Sequence, residues 1–182
     1  MKRIFFILTV FLLIYGCAKQ DDTVKIGFIG TLTGDLAIQG VEPQRGVTLA
    51  LDEINAAGGI HNKLVEAVYE NDQGAVPPAL NAFSKLTTLD KVSYVLVASY
   101  GPALALAPLA EANSVVLIES LDSSEELAQA SDWLLAIGIY DESLGHAQAE
   151  FAANTLHVQK AAVFYSTADA FSLLISDAFN QR

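Results

Sequence analysis

Residues 24–59 decide the fold, and they read VKIGFIGTLTGDLAIQGVEPQRGVTLALDEINAAGG. The largely apolar run at residues 24–29 has the length of a strand. Residues 42–57 then place four apolar side chains at helical spacing, Val47, Ala50, Leu51 and Ile54. The following Gly58 and Gly59 suit a helix C-terminus, because glycine adopts the left-handed conformation found there. A strand that leads into an amphipathic helix predicts the opening unit of a parallel α/β sheet.

The alternation of strands and helices continues along the chain. Further apolar runs of strand length are residues 64–69, 94–98 and 115–118, and the amphipathic segments between them are residues 77–89 and 102–112. We therefore expect one doubly wound parallel sheet with helices on both faces. Residues 133–139 form an apolar run that fits either a strand or a crossover.

Residues 142–182 predict the start of another α/β unit. The pattern favours a helix at residues 142–156, a strand at 161–165 and a helix at 171–179. The sequence then ends without the return strands that cover the last edge of a doubly wound sheet. We expect the chain to be part of a longer protein.

The N-terminus has the pattern of a secretion signal. Met1, Lys2 and Arg3 precede an apolar run at residues 4–15, which is shorter than the roughly 20 residues that a membrane-spanning helix needs. The run ends at Gly16 and Cys17, a stretch that resembles a bacterial lipobox. We expect a lipoprotein signal peptide at residues 1–16, a lipid anchor on Cys17 and a tether at residues 17–23. The alternative is an ordinary signal peptide with a chance cysteine.

Composition excludes several classes of function. The chain has 182 residues, 10 Lys and Arg against 21 Asp and Glu, and a net charge of −11. Nucleic-acid binding needs clustered cations, so nucleic acid is excluded as a partner. One cysteine excludes an intramolecular disulfide framework and a zinc cluster built on cysteine.

Motifs for cofactors and catalysis are missing from the sequence. The glycines after the first strand, Gly27, Gly30 and Gly34, do not have the spacing of a nucleotide-binding loop. The three histidines are separated along the chain and show no metal-ligand spacing; they are His61, His146 and His157. Residues 98–101 lack the first glycine of a hydrolase nucleophile elbow. We expect no cofactor, no metal and no catalytic residue.

Ser99 follows the predicted strand 94–98, and Gly101 and Pro102 open the next helix. The Ser99 hydroxyl and the first helix amides are expected to face the crevice beyond the strand, where an anion such as a carboxylate would bind. Ser123 holds the equivalent position after the next strand. The alternative for either serine is a helix cap without contact to a ligand.

Several segments together resemble the branched-chain amino-acid (Leu/Ile/Val) binding protein family. They are residues 25–34, 39–40, 46–60, 69–72, 99–102 and 107–110. The resemblance implies two lobes that close around a solute and deliver it to the permease and ATPase subunits of an ABC importer. Lobe 1 would comprise residues 24–139, and lobe 2 would begin with residues 140–182. A sensory ligand-binding module of a receptor is the alternative with the same fold.

The resemblance also implies a binding site. Ser99 would contact the α-carboxylate of the ligand, beside Tyr100 and Gly101. The second hydroxyl contact would be Ser123, with backbone contacts from Leu121 and Asp122. Gln39, in the loop after the first strand, matches a position that often carries an aromatic ring. Branched-chain amino acids are the first expected ligands. Glu119 and Asp122 are expected to put negative charge at the cleft, where an ammonium or amide group would bind, so amides, urea-like compounds and polar amino acids are the alternatives.

Overall fold

The computed structural model describes residues 23–182. The predicted signal peptide, Cys17 and most of the tether therefore lie outside the described residues. In chain order the strands are β1 (Thr23–Gly30), β2 (Leu64–Asn71), β3 (Tyr94–Ala98), β4 (Val116–Glu119), β5 (Asp122–Ser123), β6 (Leu134–Ala136) and β7 (Ile139–Tyr140). The helices are α1 (Ile38–Ala56), α2 (Val76–Thr88), α3 (Tyr100–Asn113), α4 (Glu125–Ala130), α5 (Asp141–Glu150) and α6 (Ala170–Asn180), and a π-helical turn, Phe151–Thr155, continues α5.

Five strands form one parallel sheet in the order β2-β1-β3-β4-β6. The chain moves from β1 outward to β2 and then returns to place β3 on the other side of β1, so the direction of winding reverses between β1 and β3. Loops that leave the sheet in opposite directions open a crevice at such a point. The predicted doubly wound α/β class is confirmed. The short strands β5 and β7 pair separately, beyond the end of β4.

The main core lies on one face of the sheet. Ile29, Val95, Val97 and Leu117 point to this face and pack with α2, α3 and α4 through residues that include Phe83, Leu86, Leu106 and Leu127. Side chains alternate along a strand, so Phe28 faces the opposite side. There its ring lies 5.6 Å from the ring of Tyr69, whose hydroxyl is hydrogen-bonded to Thr48 of α1. Helices therefore cover both faces of the sheet.

Two expectations about local structure are wrong. Residues 161–165 form no strand, because no described segment supplies a neighbouring strand for their backbone hydrogen bonds, and Phe164 is 96% exposed. Gln39 lies in the first turn of α1 and not in the preceding loop. Next to it, Gly40 packs directly on the backbone of Thr31. Within residues 23–182, no helix has both the length and the apolar character needed to cross a membrane.

The close approach of α1 to the end of β1 gives a prediction of stability. A Cβ atom at Gly40 would lie 2.3 Å from the carbonyl oxygen of Thr31, whereas a Cβ at Gly46, in the same helix, would meet no atom within 4 Å. Gly40→Ala is expected to lower the free energy of unfolding by about 1–3 kcal/mol through overpacking. Gly46→Ala should raise it by about 1 kcal/mol, because alanine favours helix. Urea unfolding followed by circular dichroism measures the free energy of unfolding of the two variants. Equal values would contradict the close contact between Gly40 and Thr31.

Candidate functional site

Polar side chains meet where β1, β2 and β3 end at the carboxyl edge of the sheet. Asp72, directly after β2, is fully buried. One of its carboxylate oxygens accepts hydrogen bonds from the Thr31 hydroxyl and from the Gly74 backbone, each at 2.8 Å. The other oxygen accepts from the Ser99 hydroxyl at 2.7 Å. Asp72 therefore ties three strand ends together beside the point where the winding reverses.

The Ser99 hydroxyl is directed inward. Ser99 holds the N-cap position of α3, but its side chain accepts no hydrogen bond from the helix. Its hydroxyl lies 2.7 Å from Asp72 and 2.6 Å from the carbonyl oxygen of Ala98, both of which are acceptors. A hydroxyl has one hydrogen and two lone pairs. The hydroxyl hydrogen of Ser99 is therefore directed at an acceptor within the protein, and the hydroxyl oxygen can still accept a hydrogen bond.

Glu119, the last residue of β4, is fully buried and contacts the loops after β3 and β4. Its carboxyl oxygens accept from the backbone N–H groups of Leu121 at 2.8 Å, Asp122 at 3.2 Å and Ser99 at 3.3 Å. Burial raises the pKa of Glu119 to about 8, although these three donors lower it and the charge of Asp122 raises it further. The carboxyl is therefore mostly protonated at neutral pH.

The loop after β4 positions the other predicted residues. Asp122 and Ser123 form β5, which pairs with β7. Ser124, not Ser123, caps α4 by accepting from the Leu127 N–H at 3.0 Å. The Ser124 hydroxyl is also 2.9 Å from that of Tyr100, which donates to Glu126 at 3.0 Å. Burial raises the pKa of Tyr100, so its side chain joins α3 to α4 as a neutral phenol.

Asp122 of β5 and Asp141 form a pair of acidic side chains. Burial raises the pKa of Asp122, and the charge of Asp169 adds to the effect, while the backbone of Tyr100 at the start of α3 opposes it. Asp141, directly after β7, is only 2% exposed. Burial, followed by the charge of Asp122, raises the pKa of Asp141 to about 6. Its Oδ2 atom has no hydrogen-bond partner among the described residues.

The structure gathers most of the residues that the sequence singles out. Ser99, Tyr100 and Gly101 lie at the junction of β3 and α3, and Leu121, Asp122 and Ser123 lie in the adjacent loop. Leu121 is 36% exposed. Gln39 is exposed on α1. Their contact with a ligand stays a prediction.

Sequence reasoning missed the roles of Thr31, Asp72 and Asp141. The available signal for Thr31 and Asp72 was a polar residue within three positions of the end of a predicted strand, since such positions meet at one edge of a parallel sheet. Asp141 gives no comparable signal. No three His, Asp or Glu side chains within residues 23–182 are arranged to hold a metal ion.

Residues 23–182 match the family of periplasmic binding proteins. Among curated proteins, the Leu/Ile/Val-binding protein homolog 7 of Brucella suis is 28% identical over 124 residues, which are 65% of this chain and 30% of that protein. The homolog 3 of Brucella melitensis is 23% identical over 158 residues, which are 86% of this chain and 42% of that protein.

Solved structures agree with these matches. LivJ of Streptococcus pneumoniae, a branched-chain amino acid transporter substrate-binding protein in complex with isoleucine, has a TM-score of 0.80 and 31% identity, covering 87% of this chain and 46% of LivJ. A solute-binding protein of an ABC transporter from Rhodopseudomonas palustris, in complex with 3,4-dihydroxybenzoic acid, has a TM-score of 0.76 at 22% identity, covering 88% and 43% of the two chains. All four relatives are solute-binding proteins, and the chain spans less than half of the length of each.

Proposed function

Because the chain belongs to the periplasmic binding protein family, we propose that it is the solute-binding component of an ABC importer. It captures a small amino-acid-like solute, a branched-chain amino acid or a related amide, outside the cytoplasm. A permease and an ATPase in the membrane are its partners. Support for this solute class comes from LivJ, which was solved with isoleucine.

The observation that carries the proposal is the position of the polar cluster. Thr31 and Ser99 directly follow β1 and β3, the two strands between which the winding reverses. Ligands of open α/β sheets bind in the crevice at this point. Asp72 accepts from the Ser99 hydroxyl and Glu119 accepts from the Ser99 N–H. These hydrogen bonds orient the polar groups of the site before a solute arrives. We assign the contacts to Ser99, Tyr100, Gly101, Leu121, Asp122 and Ser123, with Gln39 at the rim.

We further propose that residues 24–139 form lobe 1 and that residues 140–182 begin lobe 2. The boundary falls within β7, immediately before α5, and α5 packs mainly against α6. A solute that contacts both lobes stabilises the closed state, because it binds that state more tightly than the open one. We also propose that the protein is held at the outer side of a bacterial membrane by a lipid on Cys17.

Ser99→Ala tests the binding site. Removing a hydrogen bond to a charged group costs about 1.5–3 kcal/mol, so affinity for the solute should fall roughly 10-fold to 150-fold. Calorimetric titration of the natural full-length protein with leucine, isoleucine, valine and leucinamide measures the change. Ser120→Ala is the matched control, since the Ser120 hydroxyl at the same edge of the sheet donates to the carbonyl of Val97 at 3.1 Å. Unchanged affinity in Ser99→Ala would remove Ser99 from the site.

A further inference from the structure

We propose that Glu119 is a positioning residue of the solute site. Its carboxyl group sets the spacing between the loop after β3 and the loop after β4, so the affinity for the solute depends on the length and the two oxygen atoms of this side chain. The inference rests on the proposed function, because the assigned solute contacts lie on these two loops. Glu119 itself is fully buried and acts through the backbone of the loops.

The pairing of β3 with β4 ends directly before the site. Val97 and Glu119 are the last paired residues. Within residues 23–182, the last backbone hydrogen bond between these two segments runs from the Ser120 N–H to the Val97 carbonyl at 3.0 Å. Beyond this bond one segment enters α3 and the other enters β5. The two loops are therefore no longer joined by the ladder of the sheet.

The carboxyl group of Glu119 joins the loops where the ladder stops. Its Oε2 atom accepts from the Ser99 N–H at 3.3 Å, after β3. Its Oε1 atom accepts from the N–H groups of Leu121 at 2.8 Å and Asp122 at 3.2 Å, after β4. Since one carbon atom carries both oxygens, the distance between the two loops is set by this group.

The loop after β4 is held on its other side by β7 and the residue before it. A Cβ atom at Gly138 would lie 2.1 Å from the carbonyl oxygen of Leu121, so the two backbones are in direct contact. The pairing of β5 with β7 continues this contact. The hydroxyl contact between Tyr100 and Ser124 joins α3 to α4 farther along the chain. At the end of the paired strands, the link toward β3 is made by Glu119.

Both loops carry contacts that we assign to the solute, three on each loop. Groups that are already in place when a ligand arrives bind it more tightly, because less ordering is needed on binding. A shorter side chain, or one with fewer acceptors, must release a backbone N–H or let one loop move. Either change separates the two halves of the site, so we expect it to lower the affinity for the solute.

Two conservative substitutions test the inference in the natural full-length protein, with isoleucine as the probe. Glu119→Asp keeps both oxygens and shortens the side chain by one methylene group. Its affinity measured by calorimetry should fall roughly 10-fold to 100-fold, because the oxygens no longer reach both loops. Glu119→Gln keeps the length and replaces one oxygen with an NH₂ group, which cannot accept. Its affinity should fall about 3-fold to 10-fold, as for one lost hydrogen bond.

Val92→Ala is the matched control for a loss of stability without a change in the loops. Val92 is 4% exposed and precedes β3, at the edge of the sheet opposite to the site. Removing two buried carbon atoms should lower the free energy of unfolding by about 1–2 kcal/mol. Circular dichroism melting measures the stability of each variant, and Val92→Ala should bind isoleucine with unchanged affinity.

Three results would overturn the positioning role and leave the proposed function standing. The first is unchanged affinity in folded Glu119→Asp and Glu119→Gln. The second is an equal loss of affinity in Val92→Ala, since affinity would then follow stability alone. The third is failure of both Glu119 variants to fold, which would make Glu119 a residue of the fold only. If the unchanged protein binds neither isoleucine nor leucine nor valine, the proposed solute class fails and the inference fails with it.

Discussion

Cys17→Ser is expected to transfer the protein completely from the membrane fraction to the soluble fraction of a bacterial cell. A thiol is required for attachment of a diacylglyceryl group, and serine does not provide one. Burial of an acyl chain contributes about 0.8 kcal/mol per CH₂, and stable anchoring takes two such signals, which a diacylglyceryl group supplies. The apolar run at residues 4–15 does not replace the anchor, since it is too short to span a bilayer comfortably.

The matched control is Ala18→Ser, which adds a hydroxyl next to the anchor and keeps the thiol. It should stay in the membrane fraction. Mass spectrometry of the N-terminal peptide gives an independent measurement, because the lipid mass should be present on Cys17 and absent from the serine variant. If the protein with its natural Cys17 is soluble and carries no lipid, Cys17 is an ordinary residue of the signal peptide.

The order of strands and helices through β4 could be predicted because its signals are local. Buried parallel strands are continuous apolar runs, such as residues 94–98, and the helices between them keep a helical period. The family resemblance is confirmed as well. The predicted strand at residues 161–165 fails for a nonlocal reason, since a strand exists only where a neighbour accepts its hydrogen bonds.

The orientation of groups in the site could not be predicted. Which partner takes the hydrogen of Ser99 depends on Asp72, 27 residues earlier in the chain, and on the register between β2, β1 and β3. From the sequence alone, a serine after a strand is equally consistent with three roles. It could donate to a ligand, cap the next helix or donate to a buried acid. Likewise, Glu119 is visible as a charged residue at the end of an apolar run, but its burial is decided by packing between β4 and two loops.

Loss of Glu119 is expected to cause the largest destabilisation of the folded chain. Glu119→Leu leaves the N–H groups of Ser99, Leu121 and Asp122 without their acceptor. An unsatisfied buried donor costs about 1–3 kcal/mol, and these three donors are partly buried, so the free energy of unfolding should fall by roughly 3 kcal/mol. Glu53→Leu, on the exposed side of α1, is the control and should change it by about 0.5 kcal/mol or less.

The pH dependence of the free energy of unfolding separates the effect of the Glu119 charge from the effect of its hydrogen bonds. The folded protein holds a proton on Glu119 up to a pKa of about 8, whereas the unfolded chain releases it near the ordinary value of 4.5. The stabilisation from this proton is therefore fully present below pH 4.5 and is lost as the pH rises to about 8. Asp122 and Asp141 also have raised pKa values, and their contributions change in the same direction.

Glu119→Gln cannot ionise, so urea unfolding between pH 5 and pH 8 should show a smaller decline in stability than in the unchanged protein. Parallel declines in the two proteins would mean that Glu119 is already ionised at pH 5 and that its three backbone donors outweigh the effect of burial.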